Sequence, residues 1–261
     1  MRILDRPGDD YKRAFRFARW RFYSYEKDPL FKADWTDLVF HHFKVDGVEL
    51  QKHVPFELDL FEGNAYVTLV GFKTTKMYLN RLGEWTRWIH YPISHHRFLN
   101  VRTYVKRRGE PGIFFIKEYV DSLPAVPMGR ITYGLPYHFG KVDFKHDDPD
   151  DGLHGEVSCA ADARLLYDCE RAPGAGARRC EPGTMAAFLC ERYSAFTKRG
   201  EVKRVFRILH EPWELTELKP RWLETTLLER DFPWFKGAVP AGSFWTPGAF
   251  DVKISRPRKI R

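Results

Sequence analysis

From Trp35 onward, apolar and polar residues alternate in short runs, the period of strands with one buried face. Residues 37–45 (DLVFHHFKV), 64–73 (NAYVTLVGFK), 99–106 (LNVRTYVK) and 113–120 (IFFIKEYV) are rich in β-branched and aromatic side chains, which suit a pleated, half-buried surface. Further strands are expected at 137–144, 155–161, 164–170, 202–209 and 249–255. Gly63-Asn64 reads as a turn, and the run from Arg108 to Gly112 as a hairpin connection. Residues 172–183 (APGAGARRCEPG) are a loop, and the stretch from Glu211 to Pro247 carries no assignable pattern.

The helical period appears in three places. Tyr11, Phe15, Ala18, Phe22 and Tyr25 fall on one helical face, with Lys12, Arg16 and Arg19 off it, although Phe15–Phe22 also partly alternates as a strand would. A second helix is expected from about Leu123 to Tyr133, with Ser122 as its N-cap and Gly134 as its stop. A third starts after Thr184, an N-cap candidate, and continues through MAAFLCERY. The fold expected is mainly β (α+β), with a few short helices.

The net charge of +8 would suggest a polyanionic partner, but its placement changes that picture. Residues 1–33 carry a net +4 and residues 253–261 a net +5, leaving −1 for everything between. The basic excess sits on two arms rather than on a folded face, so specific nucleic-acid binding is not expected. The arms can dock on their own domain, on a second copy of the chain, or on an anionic surface or partner. The expected organisation is a basic, aromatic N-terminal arm (1–33), a β domain (34–255) and a basic tail (256–261). No apolar run approaches the roughly 20 residues of a bilayer span, and no leader pattern opens the chain, so the cytoplasm is the default compartment. Cys159, Cys169, Cys180 and Cys190 lack the close spacing of a zinc site and are expected to be reduced thiols, with Cys180 the most exposed. Neither a metal nor a cofactor is expected.

Candidate chemistry concentrates in two places. In LNVRTYV, Asn100, Arg102 and Tyr104 share one face of a strand, and such a polar face can line the interior of a closed sheet. A buried guanidinium there needs a carboxylate, with Glu118 on the next strand the candidate, or an anionic ligand. In GLPYHFG, Tyr137 and His138 sit at a helix-to-strand junction and are suited to proton transfer. A core-filling role for these aromatics is the plainer alternative. His210 and Trp213 could reach a cavity rim. His41 and His42 must face opposite ways, so they cannot ligate one metal together. P-loop, dinucleotide-binding, serine-elbow and zincin motifs are all missing.

The ordered set W-T-D-L-V-F-H-H-F from Trp35, F-E-L-D-L-F-E-G-N-A-Y-V from Phe56, L-N-V-R-T-Y-V from Leu99, G-L-P-Y from Gly134 and F-L-C-E-R-Y from Phe188 resembles the YqjF-like family of uncharacterised proteins. That family is in turn similar to acetoacetate decarboxylase. The resemblance covers roughly residues 35–255 and implies an antiparallel β cone or barrel around a central pocket. In the decarboxylase a Schiff-base lysine and a second lysine that depresses its pKa follow a G-R-E segment. A gap-free reading from Gly129-Arg130 through Pro136 to Gly140 puts Tyr137 and His138 at those two positions. Phe98 stands where the YqjF-like family usually has a glutamate. The resemblance therefore implies a pocket for a small acidic or carbonyl ligand, without amine-based decarboxylation. Tyr137, His138 and Glu118 are the catalytic candidates for lyase- or isomerase-like proton transfer, and Arg102, Asn100, Tyr104, His210 and Trp213 the ligand-binding ones.

Overall fold

The alternation from Trp35 onward is realised as a sheet that closes on itself. In the computed structural model, residues 10–89, 91–160 and 163–261 are described, with the side chains of residues 10–14, 92 and 160 excepted. The strands are β1 (Phe31–Val45), β2 (Glu57–Leu58), β3 (Ala65–Leu79), β4 (His96–Arg107), β5 (Glu110–Val120), β6 (Tyr137–Phe139), β7 (Lys141–Lys145), β8 (Leu153–Ala160), β9 (Ala163–Arg171), β10 (Arg178–Arg179), β11 (Ser194–Arg199), β12 (Val202–Leu209), β13 (Glu214–Glu224), β14 (Val239–Ile254) and β15 (Arg258–Ile260). The helices are α1 (Asp10–Tyr25), α2 (Gly47–His53), α3 (Thr86–Ile89), α4 (Tyr91–Ser94), α5 (Ala125–Thr132), α6 (Met185–Cys190) and α7 (Thr226–Asp231).

The order β12-β11-β5-β4-β3-β1-β14 closes through β12–β14 pairing, Ile208 against Ile254 and Leu209 against Lys253. Strands β13, β9, β8 and β7 continue from β14 as a wing. Most pairings are antiparallel, but β5 pairs in parallel with both β11 and β6, so the ring is mixed. Period-two alternation splits the apolar residues between two cores. Leu38, Phe40, Val70, Phe72, Phe98 and Phe115 point into the ring. Val39, Phe43, Leu69, Val101, Phe144 and Tyr167 belong to a second cluster, shared by the strands of the ring and those of the wing.

Several sequence expectations are corrected at their edges. The hairpin between β4 and β5 turns at Arg108-Gly109 alone, both with positive φ, as a tight two-residue connection demands. Glu110, Pro111 and Gly112 already belong to β5. The expected strand 137–144 breaks at Gly140, because β6 follows β5 whereas β7 leaves to pair with β8. The second helix starts at Ala125, after Ser122; Gly134 (φ 71) ends it as expected. Thr184 caps α6 through Ala187 N, but Glu191, Arg192 and Tyr193 leave the helix. There Glu191 accepts from Trp213 N, and Arg192 pairs with Asp59. Strand β14 begins ten residues before the expected 249, hidden in sequence by Pro240, Pro247, Gly242 and Gly248. Cys180 is buried, and Cys159 is the exposed thiol.

The described part of the N-terminal arm and the C-terminal tail both pack on the body. Ala18 and Phe22 of α1 are buried, and Phe15 meets Tyr193; Arg16 and Arg19 face solvent, and the side chains of Tyr11 and Lys12 lie outside the described residues. Arg21 reaches Glu110 at 2.7 Å. In the tail, Arg256 pairs with Glu26, Arg258 lies over the Tyr25 ring, and β15 adds an edge strand to β12. No described helix is long and apolar enough to cross a membrane.

Candidate functional site

Strand β4 builds the site's polar wall. His96, Phe98, Asn100 and Arg102 alternate onto the inner face and line a cavity of about 150 Å3 inside the ring. On β5 the lining residues are Ile113, Phe115 and Glu118, which change parity. A bulge causes this: Val101 pairs with Lys117 while Arg102 pairs with Phe115, so one extra residue of β5 is inserted and Glu118 is re-aimed inward beside Asn100.

Glu118 is 3% exposed. Asn100 Nδ2 donates to its Oε1 at 2.8 Å, and Oε2 has no hydrogen-bond partner. Burial pushes the Glu118 carboxyl well above the usual carboxylate range, against the smaller pulls of Asn100 and Arg102. Burial thus favours the protonated, hydrogen-bond-donating form of Glu118.

Arg102 is half-buried. Its Nη2 makes a long 3.3 Å bond to Leu189 O, its guanidinium lies 5.7 Å from the Phe40 ring centre, and its Nε has no partner. Glu118, the expected partner, bonds to Asn100 instead, and among the described residues no carboxylate forms an ion pair with Arg102. Arg102 thus reaches the cavity without an ion-pair partner among the described residues.

Tyr137 reaches the lining from β6, with its ring packed on Gly129 of α5: a Cβ at Gly129 would come within 2.5 Å of it. Arg130 Nε holds the Tyr137 carbonyl at 2.7 Å. Burial, with Glu118 nearby, raises the Tyr137 phenol well above its ordinary pKa. His138, next in sequence, points the other way; it is exposed, and its Nδ1 is 2.9 Å from Pro136 O. Strand alternation thus separates the two candidates. His210 and Trp213 both line the cavity, in contact with a 4.1 Å ring separation. Tyr104 shares the inner direction of Arg102 but lies beyond the cavity, bonded to Thr68 and packed on Phe188.

Sequence reasoning missed His96, Cys190 and Arg192. Counting back two residues at a time from Arg102 would have found His96, whose burial lowers its pKa to about 4. Cys190 lies 3.7 Å from His42 Nε2, and burial raises its thiol pKa strongly. Arg192 is matched by Asp59 at 2.7 Å. No lysine lines the cavity among the described residues. Lys117, on the opposite face from Glu118, pairs with Asp231 at 2.5 Å. Among the described residues no cluster of His, Cys, Asp and Glu could hold a metal.

The fold has known counterparts. An acetoacetate decarboxylase-like enzyme from Sphingomonas wittichii RW1 superposes with a TM-score of 0.65 at 11% identity, covering 90% of this chain and 94% of that one. Acetoacetate decarboxylase from Legionella pneumophila gives 0.62 at 12% identity, over 90% and 88%. The enduracididine biosynthesis enzyme MppR, in complex with pyruvate, gives 0.62 at 12% identity, over 89% and 90%. In sequence, the uncharacterised protein YqjF of Bacillus subtilis (strain 168) is 28% identical over 188 residues, 71% of this chain and 75% of YqjF. The family model for DUF2071, described as an uncharacterised conserved protein, matches residues 32–238, and the chain belongs to that family, on an acetoacetate decarboxylase-like fold.

Proposed function

We propose that the ring cavity binds a small carboxylate or carbonyl compound, with Arg102 as its anion anchor. One observation carries this: a half-buried guanidinium faces the cavity with no carboxylate partner. Leaving such a cation unpaired costs several kcal/mol, and an anionic ligand removes that cost. Asn100, His210 and Trp213 complete the binding wall in this proposal. Glu118, whose protonated form burial favours, and Tyr137 are the groups that donate to a ligand carbonyl oxygen and move a proton if the ligand is transformed. His138 and Tyr104 are left out, because neither lines the cavity.

An imine mechanism forms no part of the proposal. The cavity lining offers no lysine among the described residues, and Lys117 is engaged with Asp231. Docking through basic arms has less support, because Arg256 and Arg258 are engaged by Glu26 and Tyr25.

Calorimetric titration with small monocarboxylates and their neutral amides tests the proposal. Carboxylates are expected to bind in preference to amides. Arg102→Ala is expected to weaken carboxylate binding by about 30-fold or more while the melting transition survives. Unchanged carboxylate affinity in the folded Arg102→Ala protein would refute the anchor.

A further inference from the structure

We infer, resting on the Arg102 anchor proposed above, that the occupant is a monocarboxylate whose body is a single apolar ring, rather than a short keto acid, a dicarboxylate or a phosphate ester. Charge, wall chemistry and volume point the same way.

Charge comes first. Arg102 is the cavity's unmatched cation, since Arg192 is paired with Asp59. Burial favours the protonated, neutral form of Glu118, and burial keeps His96 and His210 uncharged at neutral pH, each with its pKa lowered to about 4. One unmatched positive charge accommodates one negative charge. A dianion would bring a second charge into an apolar hollow, where an unpaired charge is strongly disfavoured.

The walls come second. Away from the Asn100–Arg102–Glu118 strip, the lining mixes aliphatic side chains such as Leu38, Val70 and Ile208 with clustered aromatic rings. Phe72 and Phe98 are stacked at 4.8 Å with an interplanar angle of 9°, Trp35 lies 5.4 Å from Phe72, and Phe98 meets Tyr137 edge-on at 5.6 Å. On the far side Phe115 stacks on Phe206 at 6.2 Å. Rings held by mutual packing present faces and edges that an aromatic guest can match. A short polar acid such as pyruvate would leave that surface uncovered.

Volume comes third. An apolar cavity of about 150 Å3 holds one benzene-sized molecule. A ring with one carboxylate matches such a space, and 1-naphthoate probes its upper size limit.

The test uses the full-length protein and five probes in parallel calorimetric titrations: benzoate, pyruvate, benzamide, phthalate and 1-naphthoate, with benzoate and pyruvate repeated on Arg102→Met. Benzoate is expected to bind at least about tenfold tighter than each of the others, and to lose that advantage in Arg102→Met. Pyruvate matching benzoate, both Arg102-dependent, would overturn the ring and leave the anchor standing. Phthalate or 1-naphthoate matching benzoate would overturn the charge or size limit. Benzamide matching benzoate, with no effect of Arg102→Met, would overturn the anchor itself. Binding of none of the five would overturn both.

Discussion

Asn100 and Glu118 face each other across β4 and β5, bonded at 2.8 Å, and the bond occupies only one of the two carboxyl oxygens. The bare Oε2 and the burial of the pair make Glu118 a proton-holding group in the folded state. Its folded pKa lies above its unfolded value, so the native state binds the extra proton. Stability from this group is present at acidic pH. It falls as pH rises above the ordinary carboxylate range, by about 1.4 kcal/mol per unit until the folded pKa is reached. Glu118→Gln should flatten that alkaline decline, as read by urea denaturation of both proteins across pH 5 to 9. A parallel decline in the variant would contradict the assignment.

Five buried histidines push the other way. Burial holds His41 and His146 at a pKa of about 3, His96 and His210 at about 4, and His42 well below its ordinary value. They stay neutral when folded but take up protons when unfolded, so stability is lost as pH drops below about 6.5. Unfolding near pH 5.5 is expected to take up about 4.5 protons from this set, on top of the carboxylate contributions. The pH dependence of the denaturation midpoint measures that number; a flat profile between pH 6.5 and 5 would rule it out.

Glu110 ties three elements together. Both its oxygens engage Arg207, Ser194 Oγ donates to Oε1 at 2.6 Å, and Arg21 of α1 reaches Oε2 at 2.7 Å. Arg207 is almost wholly buried, its side chain 5% exposed. Glu110→Ala leaves that guanidinium without its counter-charge and should cost about 3–5 kcal/mol. Because Arg21 loses its partner too, proteolysis within α1 should accelerate. A loss below about 1 kcal/mol in chemical denaturation would mean water or another group replaces the carboxylate.

Gly129 sets two effects against each other. Replacing an interior helix glycine by alanine ordinarily stabilises by about 1 kcal/mol. Here the added methyl would sit 2.5 Å from the Tyr137 ring. Overpacking typically costs about 1–3 kcal/mol, so the clash should win and Gly129→Ala should lower the melting temperature. A raised melting temperature would show that Tyr137 moves aside freely.

How much was readable in advance varies residue by residue. Asn100 and Arg102 were placed on one strand face by alternation alone, and both line the cavity. Glu118 was named for its position on the neighbouring strand, but the bulge that aims it inward leaves no mark in the sequence. Tyr137 and His138 were singled out as a pair; pleating puts one inside and one outside. Parity within one strand is local, whereas parity between strands depends on where an extra residue is inserted.

By itself, the amino-acid order determined the β-rich class, a hairpin connection within residues 108–112, the helix stop at Gly134 and the inner face of β4, because these depend on residues a few positions apart. Tertiary structure alone decided that β12 meets β14 to close the ring, that Glu118 bonds Asn100 and leaves Arg102 unmatched, and that Arg21 and Arg256 of the arms pair with Glu110 and Glu26. Those outcomes depend on groups far apart in the chain, whose charges and hydrogen bonds acquire partners only once burial has removed the water between them.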